Sequence, residues 1–266
     1  MVFRSTSILL SSVRLERLLL FLLEINKLQI YSPKFGLTKA RLDALRPLAD
    51  AALAQLQKHY DVELTYTSNA IEGNTLTYRE TAEVIEHGIT TVGGKSLHEH
   101  LEAVDHYRAV LWMREAATSV LPLGEAVVCE LHRRIVARSQ PDIAGIYSRL
   151  PRRVAGSAVV FPNPSKTPAL MSEFGVWLEQ PPRAPAAAFE AHFRLTAIHP
   201  FSDGNGRTAR LLMNLLLLRA GYPPVAIRPE DRKPYLTRSS KGRRSVSCPL
   251  SSASCMSGWK RLWART

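Results

Sequence analysis

One histidine, one aspartate, two glycines and two arginines crowd into a single short string, IHPFSDGNGRTAR, from Ile198 to Arg210. The residue types suit phosphate chemistry. The run RTARLLMNLLLLR has helical character, and a helix start presents unpaired N–H groups and the positive end of its dipole, so DGNGR at its mouth is an anion site. Gly204 and Gly206 let backbone approach a phosphate unobstructed, and Asn205 tolerates a turn conformation. Arg207 and Arg210, three apart on one helical face, can grip further phosphate oxygens. Asp203 offers a hard oxygen where the Mg²⁺ of a nucleotide would sit, an ion that usually takes only one or two protein carboxylates. His199 stands one loop away from that phosphate, where a general base belongs.

These residues need a scaffold, and the sequence predicts one made almost wholly of helices. Apolar residues recur at helical spacing from Leu42 to Leu56, Leu97 to Ala117, Glu125 to Ala137, Ala169 to Leu178, Ala186 to Ile198 and Arg207 to Arg219. In TYRETAEVIEHG, Thr77 is a candidate N-cap, Glu80 occupies the capping-box position and Gly88 marks the stop. The one strand candidate is RRVAGSAVVFPNP, where Val154 and Val159 to Phe161 flank Gly156 and Ser157; it reads as a short hairpin. The expected fold class is an all-α helical bundle carrying one β-hairpin flap, with no internal repeat.

At this point the chain resembles the Fic (Fido) family. Its signature HPFx(D/E)GNGRxxR is matched by His199, Pro200, Phe201, Asp203, Gly204, Asn205, Gly206, Arg207 and Arg210. Nine fixed positions make this far more specific than a lone glycine-rich loop. GIYSRLPRRVAGSAVVFPNPSKTPALM, from Gly145, is similar to the family's flap and the turn after it, and RAGYPPVAI, from Arg219, to the stretch after the motif helix. One departure is Ser148, which stands before Arg149 where family members often carry arginine directly after the tyrosine. The likeness runs from about Phe35 to Leu236. It implies a Fic-type bundle that moves AMP from ATP onto a Ser, Thr or Tyr hydroxyl of a target protein. His199 would then take the hydroxyl proton and Asp203 hold Mg²⁺. The Gly204–Gly206 backbone with Arg207 and Arg210 would hold the phosphates, and Tyr235 would line the adenine pocket. The flap residues Val154, Val159, Val160 and Phe161 would align the target as an added strand.

TSNAIEGNT, from Thr67, is similar to the family's inhibitory helix, (S/T)xxxE(G/N), with Ser68, Glu72 and Gly73 in register. The resemblance implies that Glu72 pairs with Arg210, removes it from the γ-phosphate and misplaces ATP, so that the enzyme is latent. The division expected is an N-terminal extension at 1–34, a helical region at 35–118 with the inhibitory helix at about 65–75, a Fic core at 119–236 and a tail at 237–266. The other readings are a Fic-fold protein that acts by binding only, and transfer of a different phosphate-containing group.

Composition narrows the classes further. The 266 residues are 45% hydrophobic and can bury a core. The net charge of +12 points to nucleic acid or anionic lipid until its distribution is read: beyond Leu236 there are seven basic residues and no acidic one. That Ser- and Arg-rich tail, TRSSKGRRSVSC and onward, reads as a reading-frame break or degenerate end; the alternative is a genuine basic tail that binds nucleic acid. The apolar run Leu18 to Leu23 is far shorter than the roughly 20 residues of a membrane span, and Arg14, Glu16 and Arg17 interrupt what precedes it. It reads as a helix and not an anchor, with a signal sequence the other reading and no membrane partner. Cys129, Cys248 and Cys255 have neither CxxC spacing nor an even framework, so a cytoplasmic protein is expected. GGKS, from Gly93, lacks the first glycine of a phosphate loop, Ile89 standing in its place, and His98 and His100 are two apart and read as solvated helix residues. The expected partners are therefore a hydroxyl-bearing protein substrate, self-modification included; a homodimer is compatible with the pattern.

Overall fold

The computed structural model describes residues 43–44, 50–88, 94–151, 160–180 and 185–231. Seven α-helices lie among them: α1 Asp50–Glu72, α2 Tyr78–His87, α3 Leu97–Thr118, α4 Glu125–Ile135, α5 Thr167–Glu179, α6 Ala186–Ile198 and α7 Asn205–Arg219. Contacts divide the chain into two compact units. The described part of the first ends at Tyr60, and the second begins at Asp61 and holds every described site residue. In the first, His59 meets the edge of Tyr60 at 5.7 Å between ring centres.

Within the second unit α7 is the central element, packed against α6, α3 and α4. Apart from Gly206, every residue from Asn205 to Leu217 is buried, the leucine-rich second half by apolar packing and the polar Asn205, Arg207, Thr208, Arg210 and Asn214 with hydrogen-bond partners. Its irregular neighbours are tied to it by two asparagines. Asn214, 1% exposed, donates to the carbonyl of Val225 at 3.0 Å and accepts from its N–H at 2.8 Å. Asn205 grips Phe201 in the same way, both bonds at 2.9 Å. A buried loop would otherwise leave peptide groups unpaired, and each clamp satisfies a donor and an acceptor at once.

The helix starts follow local chemistry. Thr77 and Glu80 form the expected capping box of α2, and Gly88 at φ 81° ends it. Ser96, in the GGKS string, proves to be the N-cap of α3 with Glu99 as its box partner. Lys95 donates to the Thr75 carbonyl at 2.7 Å, so that string fastens two helix ends together. His98 is half-exposed, as read, but His100 is buried, its Nδ1 2.7 Å from the Ser96 carbonyl. From Asp50 to Glu72 no Gly or Pro interrupts the chain, and the predicted inhibitory segment is the end of the longer α1. Gly73, at φ 105°, stops it.

The described residues contain no strand. One isolated antiparallel bridge pairs Tyr147 with Phe201, and Ser148 N–H donates to the Pro200 carbonyl at 2.8 Å. Most of the expected hairpin, including Val154 and Val159, lies outside the described residues, as does Tyr235. Val160 is exposed, whereas Phe161 is only 8% exposed and turns inward. No described helix is long and apolar enough to cross a membrane.

Candidate active site

The site begins where α6 ends. Pro200 disfavours helical geometry in the residue before it, and His199 instead takes the left-handed conformation at φ 53°, ψ 56°. Among the described residues it is the one non-glycine with positive φ. Such a backbone costs roughly 1–2 kcal/mol and persists only where the surroundings hold it. The hold is visible on both sides. The His199 N–H reaches the Leu195 carbonyl at 2.9 Å, and its imidazole stacks on Phe161 with ring centres 3.9 Å apart. Next in the chain, Phe201 is fully buried, clamped by Asn205 and stacked flat on His132 at 3.7 Å. Phe161, expected on a target-docking flap, is thus the wall against which the histidine rests.

His132 fixes the loop further. Its Nδ1 accepts the Gly145 N–H at 3.0 Å, so the proton sits on Nε2, which donates to the Asp203 carbonyl at 3.1 Å. Burial, with the Arg207 charge nearby, pushes its pKa down to about 4 despite the bond to Asp203, consistent with a neutral ring. Gly204 follows at φ 70° as the N-cap of α7, and a Cβ there would stand 3.3 Å from the His132 ring. No side chain caps this helix start. Its first-turn amides face the space in front of Gly204 to Gly206, as an anion site needs.

That space has a carboxylate in it. A Cβ built on Gly206 would collide with Glu72 Oε1 and lie 3.0 Å from Arg210 Nη1. Glu72 Oε1 accepts from Arg210 Nη2 at 2.7 Å, and Arg210 also donates to Ser68 Oγ at 2.9 Å and to the Ser68 carbonyl at 3.0 Å. The residues Ser68, Glu72 and Arg210, expected together, are brought together. Gly73, also expected here, ends the helix directly after Glu72.

Arg207, expected to grip phosphate, and Arg210, expected to be drawn off by Glu72, are both buried, at 1% and 4% exposure. Arg207 donates to Glu102 at 2.8 Å and to Asp203 Oδ2 at 2.9 Å. Glu102 in turn accepts from Asn74 at 3.0 Å, just beyond the end of α1. For Asp203, burial raises the pKa, but the Arg207 charge, the Gly204 N–H and Gln140 outweigh it and leave the carboxyl below its ordinary value. Its side chain is 49% exposed, ionised and accessible.

The donor set decides what metal could sit here. No group of three or more His, Cys, Asp or Glu among the described residues could cage an ion. One half-exposed carboxylate beside an uncapped helix start fits Mg²⁺, which keeps several waters and is completed by substrate phosphates. Sequence reasoning missed His132, Glu102 and Gln140. Glu102 is 105 residues from Arg207 and had no local signal; His132 falls at helical spacing with the buried Val128, Leu131 and Ile135, where a histidine among apolar neighbours was the cue.

Residues 122–217 match the sequence profile of the Fic/DOC family. A protein adenylyltransferase Fic of Drosophila grimshawi is 39% identical over 199 residues, which cover 73% of this chain and 41% of the relative. The chain therefore spans about two fifths of the length of the curated relatives it matches. Fic-1 of C. elegans, in a structure of residues 134–508, is 27% identical with a TM-score of 0.65, over 85% of this chain and 66% of that one. A Fic domain containing signaling protein of Bacteroides thetaiotaomicron is 30% identical with a TM-score of 0.75, and the match covers 85% of this chain and 89% of that one. Likeness across nearly the whole of that bacterial protein, with the signature loop folded as described, makes the assignment plain: the chain belongs to the Fic/DOC family.

Proposed function

We propose that the chain is a protein adenylyltransferase that transfers AMP from ATP to a Ser, Thr or Tyr hydroxyl of a target protein and is held latent by Glu72. The observation that carries the reading is the position of Glu72: its carboxylate bonds Arg210 and lies against Gly206, within the anion site itself. A carboxylate is a poor substitute for a phosphate, but it claims the same guanidinium and stands in the same space before the helix start.

In the reactive arrangement the α7 start and the two arginines bind the triphosphate. Asp203 would hold Mg²⁺, which supplies charge neutralisation to the phosphates when bound. His199 accepts the proton as the target's hydroxyl oxygen bonds to the α-phosphorus. The bond from that phosphorus to the bridging oxygen breaks, and pyrophosphate leaves. The rigid αL seat of His199 and its stack on Phe161 support a base held in place before substrate arrives. Charge that builds on the phosphate oxygens meets preorganised N–H donors. We assign the inhibitory helix to the 35–118 region, catalysis to 119–236, and target alignment to the flap around Val154 and Val159. Tyr235 belongs to the adenine pocket in this reading, and the chain itself is an available target.

Incubation with ATP labelled at the α- or γ-phosphate tests the assignment, with Glu72→Gly as the active form. Label should enter protein from the α position alone. Entry from the γ position would make the chain a kinase; no entry from either would leave a binding protein or a donor other than ATP.

A further inference from the structure

α4 and the segment that leaves it hold Asp203 twice. His132 takes its main-chain carbonyl, and Gln140 Nε2 donates to its carboxylate Oδ2 at 2.6 Å. The orientation of the Gln140 amide follows from chemistry, because a carboxylate only accepts and the amide oxygen would repel it. Gln140 does not swing from a loose loop. Asp105, 1% exposed, accepts the backbone N–H groups of Arg138 and Ser139, both at 2.8 Å, and the Ser139 hydroxyl at 3.0 Å. The Gln140 N–H itself reaches the Val136 carbonyl at 2.9 Å. The amide is therefore aimed by a turn pinned to α3 at one end and to α4 at the other.

Arg207 and Gln140 meet the same oxygen from different directions, and they are not equivalent. Arg207 brings a positive charge, which both orients Asp203 and reduces its pull on a cation. Gln140 orients without charge. We propose that Gln140 is a positioning residue that fixes the side-chain rotamer of Asp203 for the Mg²⁺ that accompanies the nucleotide; this rests on the reading of Asp203 as the metal's ligand. Partners that hold a ligating carboxylate commonly account for about tenfold or more in metal affinity, and a partly exposed one belongs at the low end.

The test is calorimetric titration of an ATP analogue with a methylene bridge between the α- and β-phosphates, at a series of Mg²⁺ concentrations, in the Glu72→Gly form. Gln140→Met keeps the length of the side chain without the donor, and Gln140→Ala removes both. Both should raise the half-saturating Mg²⁺ concentration about tenfold while analogue affinity in EDTA and the melting temperature stay unchanged. Asp203→Ala should raise it further. If Asp203→Ala shifts the Mg²⁺ requirement and both Gln140 variants do not, the positioning role is wrong and the metal reading stands. Equal weakening with and without Mg²⁺ also overturns it, since Gln140 would then shape the nucleotide pocket generally. If Asp203→Ala leaves the requirement unchanged, the ligand assignment itself fails.

Discussion

Glu72 and Arg210 are 138 residues apart in the chain and 2.7 Å apart in space. The same guanidinium also bonds the hydroxyl and the carbonyl of Ser68. Ser68 and Glu72 are one turn apart on α1, so a Ser-x-x-x-Glu spacing presents hydroxyl, carbonyl and carboxylate to one fork of donors. Arg210 is buried and its partner is part-exposed, which makes the carboxylate the displaceable half of the pair.

Glu72→Gly should raise α-labelled transfer, self-modification included. Couplings between a regulatory contact and a site typically amount to about 1–3 kcal/mol, or roughly 5–150-fold. Arg210→Ala added to it should cancel the gain, because the two act as one switch and their effects are not additive. Transfer at the starting level in a folded Glu72→Gly protein that binds ATP would return Glu72 to an ordinary helix residue.

Ser68→Ala tests the other half of the grip. It removes the acceptor of Arg210 Nε and leaves the carbonyl bond and Glu72 in place. A hydrogen bond to a charged group is worth about 1.5–3 kcal/mol. Basal transfer should rise by less than in Glu72→Gly, and the double variant should match Glu72→Gly alone. A double variant more active than Glu72→Gly would show that Ser68 restrains the site by another route.

His199→Ala should abolish transfer in the Glu72→Gly form and leave Mg-ATP affinity largely intact, since the imidazole acts on the incoming hydroxyl. Asp203→Ala and Arg207→Ala should weaken Mg-ATP binding itself. Parallel loss of affinity and rate in His199→Ala contradicts the base assignment.

The division between what the sequence disclosed and what it hid follows chain distance. HPFSDGNGR is local: a proline, two glycines and a helix start determine its backbone, and His199, Asp203, Gly204, Asn205, Gly206 and Arg207 were named from their types and spacing. The helix content and the Thr77 cap were legible for the same reason. The direction in which Arg207 points was not, because Glu102 comes from a helix far away in the chain and meets it only once α7 is packed, and the pairing of Arg210 with Glu72 was named through the family resemblance alone. The stack of Phe161 on His199 was not legible either, because an apolar residue beside a turn has the same pattern whether it faces outward or rests on another ring.

His132 makes stability depend on pH. Its folded pKa of about 4 lies below the ordinary 6.5, so between those values the unfolded chain binds more protons. The neutral ring's contribution is full above about pH 6.5 and is lost as the pH falls through about 4, at about 1.4 kcal/mol per pH unit between them, an order-of-magnitude figure near 3 kcal/mol. His106, also buried and held well below its ordinary value by burial and the two arginine charges, adds in the same direction. Urea unfolding at pH 7 and pH 5 should therefore show a smaller drop in His132→Gln than in the parent. Equal drops would mean that His132 is not kept neutral in the folded protein.

Gly206 supplies the most exposed test of where Glu72 sits. Alanine is favoured over glycine within a helix by up to about 1 kcal/mol, and Gly206 has no positive φ to oppose the change. Its one outright collision is with the Glu72 carboxylate, which can yield only by giving up its bond to Arg210; the Arg210 contact at 3.0 Å is tight and asks that side chain for a small shift. In the parent protein Gly206→Ala must therefore push Glu72 aside and should destabilise. In the Glu72→Gly form the obstacle is gone, and the same substitution should be neutral or slightly stabilising, although the added methyl still stands in the anion site and transfer should fall. Melting temperatures of the four proteins read the sign of the effect in each background. An equal change in both backgrounds would place the Glu72 carboxylate away from Gly206, and the carboxylate would then restrain the enzyme through Arg210 alone.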